Sequence, residues 1–232
     1  MKKISVVIPC FNEVNTIEHV VSQVRKSPVT LEIEIIAVDD FSTDGSRLLL
    51  AEMLENGQIN DLVLQDRNRG KGAALRAGFQ ACTGGIVIVQ DADLECDPAE
   101  YPALIAPILD GTADVVYGSR FLLQSPRPVF PFWRTKANAF LTHLSNMFSN
   151  IYLTDMETCY KVFKSEVIQG LTLKENRFGF EPEVTARIAR LPVKIVEVPI
   201  SYNARSVADG KKIGLRDAFR TVYAIVRYNL IR

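Results

Sequence analysis

Three short apolar runs, each closing in a polar cluster, constrain this chain most. Residues 4–8 lead through Pro9 to Asn12-Glu13, residues 33–38 end in Asp39-Asp40, and residues 86–90 end in Asp91-Ala92-Asp93. Runs rich in Val and Ile that are apolar on both faces read as buried parallel strands. Residues 16–25 lie between the first two, with Ile17, Val20, Val21 and Val24 at helical spacing. Further helices are predicted over 46–54, 73–81 and 101–109, and further strands over 62–65 and 114–117. This βαβα order predicts a mostly parallel, Rossmann-like central sheet with helices on both faces. Ligands of such sheets sit beyond the carboxyl ends of the strands. The three polar clusters are therefore expected to meet at one edge.

The 232 residues, 47% of them apolar, suit one large α/β domain over 1–232. Lys and Arg number 27 and Asp and Glu 27. That balance argues against a nucleic-acid footprint, which needs a basic domain. Cys10, Cys82, Cys96 and Cys159 are scattered without CxxC spacing, which fits reduced cytoplasmic thiols better than zinc or disulfides. No run of about 18 apolar residues is present, so a soluble or peripheral protein is expected. Residues 122–132 carry Pro126, Pro128 and Pro131 and read as a loop. A helix over 134–148, a strand over 193–200, a polar loop over 206–212 and a helix over 215–231 complete the chain. That last helix is apolar at Phe219, Val222, Tyr223, Ile225, Val226, Leu230 and Ile231 and basic at Arg216, Arg220, Arg227 and Arg232. Such a helix lies in a membrane interface or packs on its own domain.

Asp91-Ala92-Asp93 offers two carboxylates at a strand end, with Glu95 two residues on. Hard oxygen donors of this kind suit Mg²⁺ or Mn²⁺, which would bridge to a diphosphate and offset charge on a leaving group. As a lone triplet it reads equally as a solvated turn or cap. Asp39-Asp40 needs donors or a ligand, because burying adjacent carboxylates unpaired is costly. Asn68-Arg69-Gly70-Lys71-Gly72 opens a helix and presents backbone N–H groups to an anion. Its spacing is neither that of a P-loop nor that of a dinucleotide fingerprint, and a plain tight turn explains it as well.

Together these segments resemble the family 2 glycosyltransferases of GT-A fold. Val7 to Glu13 is similar to the family's VIPxxNE start, and Asp39 to Gly45 to its DDxSxDG segment. Asn68, Gly70, Gly72, Ala73 and Gly78 match NxGxGxAxxxG. DADLECDP resembles the DxD element of dolichol-phosphate-sugar synthases, followed by Gly118-Ser119-Arg120. TDMETCYK over 154–161, GFE over 179–181, and Arg205 with Gly210, Lys211 and Lys212 extend the likeness to polyprenyl-phosphate glycosyltransferases. The resemblance implies a nucleotide-sugar-binding half over 1–120 and an acceptor half over 121–232. It implies that Pro9, Phe11, Glu13 and Asp40 contact the nucleoside, assisted by Asp39. Asn68 and Lys71 join the donor site. Asp91, Asp93 and Glu95 surround Mg²⁺ or Mn²⁺, although many relatives have Gln at the position of Glu95. Arg205 and Lys212 hold the donor diphosphate, and Arg120 and Arg134 the acceptor phosphate. Lys136 is the alternative to Arg134.

The family is inverting, so the acceptor oxygen attacks the anomeric carbon opposite the leaving diphosphate. A phosphate monoester with a second pKa of about 6 is already ionised at neutral pH and needs no general base. A hydroxyl acceptor would need one, for which Asp155 and Glu181 are candidates. Both read equally as buried structural carboxylates. The expectation is therefore transfer of a hexose from a nucleoside diphosphate sugar, UDP-linked by preference and GDP-mannose second, to a polyprenyl phosphate at the inner membrane face. Rivals are a glycosyltransferase acting on a saccharide or protein hydroxyl, a sugar-phosphate nucleotidylyltransferase and an inactive nucleotide-sugar-binding module. VIPCFNE stands where a nucleotidylyltransferase has a basic glycine-rich loop, and the intact Asp91-Ala92-Asp93 argues against an inactive module.

Overall fold

The computed structural model describes residues 2–122, 129–203 and 215–230. Its strands are β1 (Lys3–Cys10), β2 (Glu32–Asp39), β3 (Asp61–Leu64), β4 (Ile86–Val89), β5 (Val115–Ser119), β6 (Lys161–Lys164) and β7 (Ile195–Pro199). The helices are α1 (Ile17–Arg25), α2 (Ser46–Glu55), α3 (Lys71–Ala81), α4 (Tyr101–Leu109), α5 (Phe132–Ser149), α6 (Ser165–Gln169), α7 (Phe180–Ile188) and α8 (Leu215–Leu230). One sheet orders the strands β3-β2-β1-β4-β6-β5-β7. All neighbours pair parallel except β6, which runs antiparallel to both β4 and β5.

The alternation of side chains along each strand splits the core into two layers. Ile4, Val6, Ile8, Ile35, Ala37, Ile86 and Ile88 pack under α1, α2 and α4. Val7, Ile36, Val38, Val87 and Val89 face the other way, toward α3, α7 and Ile225 of α8. Both faces are covered, which is why these strands read as continuous apolar runs.

Every strand and helix expected from the sequence is present within a few residues. β6, α6 and α7 were not expected. They fall between residues 148 and 193, for which no element was expected, and α7 carries Glu181. β6 joins β4 and β5 into one sheet. Being antiparallel, it brings the residues that precede it to the edge where β4 and β5 end.

Candidate active site

Among the described residues, three of the four non-glycine residues with positive φ are Asn12, Phe41 and Leu94 (φ 54, 65 and 61°). They stand just past β1, β2 and β4. L-residues are rarely held in this conformation, and such strain gathers at functional sites. The three turns face a cavity of about 400 Å³ at the carboxyl edge of the parallel strands.

Pro9, Phe11, Glu13, Asp40, Asn68, Lys71, Asp91, Asp93, Glu95, Arg120 and Arg134 all line this cavity. Asp39 and Asp155 do not. Asp39 is fully buried; its carboxylate accepts the Ser42 N–H and pairs with Arg47 at 3.1 Å. Arg205 and Lys212, together with Ile231 and Arg232, lie outside the described residues.

Asp40 accepts the backbone N–H groups of Arg69 and Gly70, both at 2.7 Å. It thereby ties the glycine loop to the end of β2. Burial raises its pKa, and the two amides offset part of that rise. Gly70 has φ +95°, and a Cβ there would lie 2.5 Å from the Asn176 carbonyl. Only glycine lets the start of α3 approach residues 175–177 so closely. That contact sets Arg177 and Phe178 on the cavity wall.

Asp91, Lys71 and Glu181 form a chain of charge across the floor. The Lys71 ammonium sits 2.9 and 3.0 Å from the two Asp91 oxygens and 3.1 Å from Glu181 Oε1. Burial alone would lower the Lys71 pKa, but the two carboxylates outweigh it and hold the ammonium charged. Burial likewise opposes, and Lys71 enforces, the depressed pKa of Asp91. Asp93 Oδ1 accepts the Glu95 N–H at 3.1 Å, and Glu95 accepts a hydrogen bond from the Tyr202 hydroxyl. Among the described residues no three Asp, Glu, His or Cys side chains lie close enough together to hold a metal ion by themselves. The three expected ligands are thus already engaged separately, Asp91 by Lys71 and Glu95 by Tyr202. The donor set still fits a hard cation, since Mg²⁺ commonly takes one or two carboxylates and completes its shell with water and substrate phosphate. Asp93, with Asp91, would hold it.

Arg120 and Arg134 add positive charge to the cavity wall. Arg120, just past β5, donates from Nε and Nη2 to the two Asp155 oxygens at 2.6 and 2.7 Å. Asp155 also accepts from Asn138 Nδ2 at 3.2 Å. Despite the cost of burial, this pairing raises the Arg120 pKa. Arg134 of α5 donates to the Tyr202 hydroxyl at 2.7 Å. The ring of Tyr202 lies under both guanidinium groups, 5.0 Å from Arg120 and 5.7 Å from Arg134. Sequence reasoning missed Tyr202, Arg177, Glu157 and Cys159, all of which line the cavity. For Glu157 and Cys159 the TDMETCYK likeness was a usable signal. For Tyr202, three residues beyond β7, nothing local marks it.

Residues 5–170 match the model of Glycosyl transferase family 2, and the chain belongs to that family. It is 30% identical over 214 residues to an undecaprenyl-phosphate 4-deoxy-4-formamido-L-arabinose transferase of Klebsiella pneumoniae, covering 91% of this chain and 63% of the relative. It is 26% identical over 230 residues to a dolichol-phosphate mannosyltransferase of Pyrococcus furiosus, covering 97% of this chain and 64% of the relative. The chain thus spans just under two thirds of these relatives. Among solved structures, glucosyl-3-phosphoglycerate synthase from Mycobacterium tuberculosis with Mn²⁺, UDP and glucosyl-3-phosphoglycerate superposes with a TM-score of 0.74 at 20% identity. That match covers 100% of this chain and 81% of the other. A complex of the same enzyme with Mg²⁺ and UDP gives 0.71. The fold is GT-A.

Proposed function

We propose that this chain transfers a hexose, with inversion and with a divalent cation, from a nucleoside diphosphate sugar to a polyprenyl phosphate. UDP-linked donors are preferred and GDP-mannose is the second candidate. The observation that carries this reading is the polarity of the cavity. The cavity is lined by Asp91 and Asp93, which suit a cation and diphosphate, and also by Arg120 and Arg134, which share the Tyr202 ring and suit a second phosphate. The polyprenyl-phosphate relatives support the acceptor, and the UDP complexes with Mn²⁺ or Mg²⁺ support the donor and the cation.

Asp91 and Asp93 would hold the cation, which would supply charge to offset that on the departing diphosphate. Pro9, Phe11, Glu13 and Asp40, with Asn68, hold the nucleoside, and Lys71 adds a fixed positive charge beside Asp91. Arg205 and Lys212 are assigned to the diphosphate by family resemblance. Arg120 and Arg134 orient the acceptor phosphate, whose oxygen is already anionic, so positioning and charge shielding suffice. Asp155 has the place of a positioning residue: with its two oxygens on Arg120 it fixes the guanidinium and is not available as a base. Peripheral membrane contact through α8 completes the reading. Radiolabelled UDP- and GDP-sugars, with Mg²⁺ or Mn²⁺ and a short polyprenyl phosphate, test it. Metal-dependent label in the lipid, lost in Asp93→Ala, is expected. Donor hydrolysis without lipid product would contradict the acceptor assignment.

A further inference from the structure

The floor of the cavity holds two carboxyl oxygens with no hydrogen-bond donor among the described residues. Glu181 Oε1 is held by Lys71, while its Oε2 is buried and without a hydrogen-bond partner. Glu157 Oε1 is buried and equally unpartnered. Both residues line the cavity that contains Asp91 and Asp93. The two reach it from different elements, Glu157 from the segment before β6 and Glu181 from the first turn of α7. An unsatisfied buried polar atom is costly, and a ligand donor removes that cost.

Charge bookkeeping sharpens the chemistry. Asp91, Glu157 and Glu181 are three carboxyl groups facing two ammonium groups, Lys71 and Lys161. Lys161 is fully buried, donates to the Thr158 carbonyl and lies 5.2 Å from the Tyr117 ring centroid. Burial and the nearby Glu181 push Glu157 up to about 8, while Lys161 and Arg120 pull the other way and Asp155 adds to the rise. The raised pKa favours the protonated acid, which offers one O–H donor and one acceptor beside the unpartnered Glu181 Oε2.

We infer that Glu157 and Glu181 form the subsite that reads hydroxyl groups of the transferred sugar, with Glu157 the specificity-determining member. A neutral pyranose hydroxyl can donate to one oxygen and accept from the Glu157 acid. A sugar carboxylate in place of a hydroxyl has no hydrogen to donate to Glu181 Oε2 and leaves that buried oxygen unsatisfied. The donor class is thus a neutral hexose, not a uronate. This inference rests on the proposed donor reading. An ordered water would satisfy the same two oxygens, and it would leave sugar and sugar-free nucleotides indistinguishable.

Titration calorimetry with Mn²⁺ at pH 7 separates these cases. The ligands are UDP, UDP-glucose and UDP-glucuronate, with GDP, GDP-mannose and GDP-mannuronate in parallel. The proteins are wild type, Glu157→Ala and Glu157→Gln. Wild type should bind the neutral sugar nucleotide at least about ten-fold more tightly than its uronate counterpart, and Glu157→Ala should lose about ten-fold or more for the sugar nucleotide alone. Glu157→Gln, which keeps a donor and an acceptor, should recover most of that loss. Equal weakening of nucleotide and sugar nucleotide in Glu157→Ala, or no change in either, overturns the subsite and leaves the donor reading standing. Failure of wild type to bind either UDP or GDP removes the donor reading and the subsite with it.

Discussion

At the scale of single residues, the site is a set of charges whose partners fix their roles. Asp155 and Arg120 form a buried pair at 2.6 Å, with the carboxylate fully buried. Removing one member of such a pair leaves an uncompensated charge and costs about 3–5 kcal/mol. Asp155→Ala should therefore destabilise the fold and weaken acceptor use together. Asp155→Asn, which keeps the shape, should raise the KM for the acceptor phosphate more than that for the donor. Steady-state kinetics on both substrates check this, and equal effects on the two would contradict it. Glu157 carries a pH signature. Its native pKa, raised by burial and Glu181 to about 8, stands above the ordinary 4.5. Between those values the native state holds a proton that the unfolded chain has released, so stability falls as pH rises through that window. Urea denaturation from pH 5 to 8 should show wild type losing stability relative to Glu157→Gln. Parallel curves for the two proteins would refute the assignment.

At the scale of elements, the antiparallel β6 and the start of α7 complete what the parallel strands begin. The parallel half was legible because its strands are uniformly apolar and each ends in a turn with its own polar signature. β6 was not, since Lys161-Val-Phe-Lys is four residues long and begins with a buried lysine that reads as surface. α7 was hidden for a similar reason. Eight of its nine residues are buried, Glu181, Pro182 and Glu183 among them, so no polar stripe outlines an amphipathic helix. Glu183 accepts the N–H groups of Lys174 and Glu175, which precede the helix, together with Arg187 Nε one turn on. Tyr202 escaped because its partners Glu95 and Arg134 are far away in the chain. The loop against Gly70 gives a prediction at this scale. Gly70→Ala adds a Cβ 2.5 Å from the Asn176 carbonyl at φ +95°, forcing residues 175–177 away from α3. Nucleotide affinity should drop about ten-fold or more, with circular dichroism showing the fold retained. Unchanged affinity in calorimetry would show that this contact does not shape the donor site.

At the scale of the whole molecule, α5 and α8 leave apolar residues exposed. In α8, Thr221, Ala224 and Ile225 are buried, whereas Phe219, Tyr223, Val226 and Leu230 are exposed. The helix packs on its domain through one face and presents apolar residues outward on the other. α8 is docked by Arg220, whose Nε and Nη2 donate to Glu175 at 2.9 and 2.8 Å. α5 packs against it and exposes Phe132, Trp133 and Phe140. Among the described residues no helix is long and apolar enough to cross a membrane. Aromatic residues with neighbouring Lys and Arg suit a membrane interface. Trp133 is the chain's one tryptophan, so its emission reports on that face directly. Vesicles containing anionic lipid should shift it to shorter wavelength, and no shift would contradict peripheral contact. The central claim is that the Arg120 and Arg134 side of the cavity receives an acceptor that is already a phosphate anion. The most direct test compares transfer of labelled sugar to a polyprenyl phosphate and to the matching polyprenol, by wild type and by Arg120→Ala. The account predicts label in the lipid phosphate alone, with transfer largely lost in the variant. Comparable labelling of the alcohol, or undiminished transfer by Arg120→Ala, would contradict it.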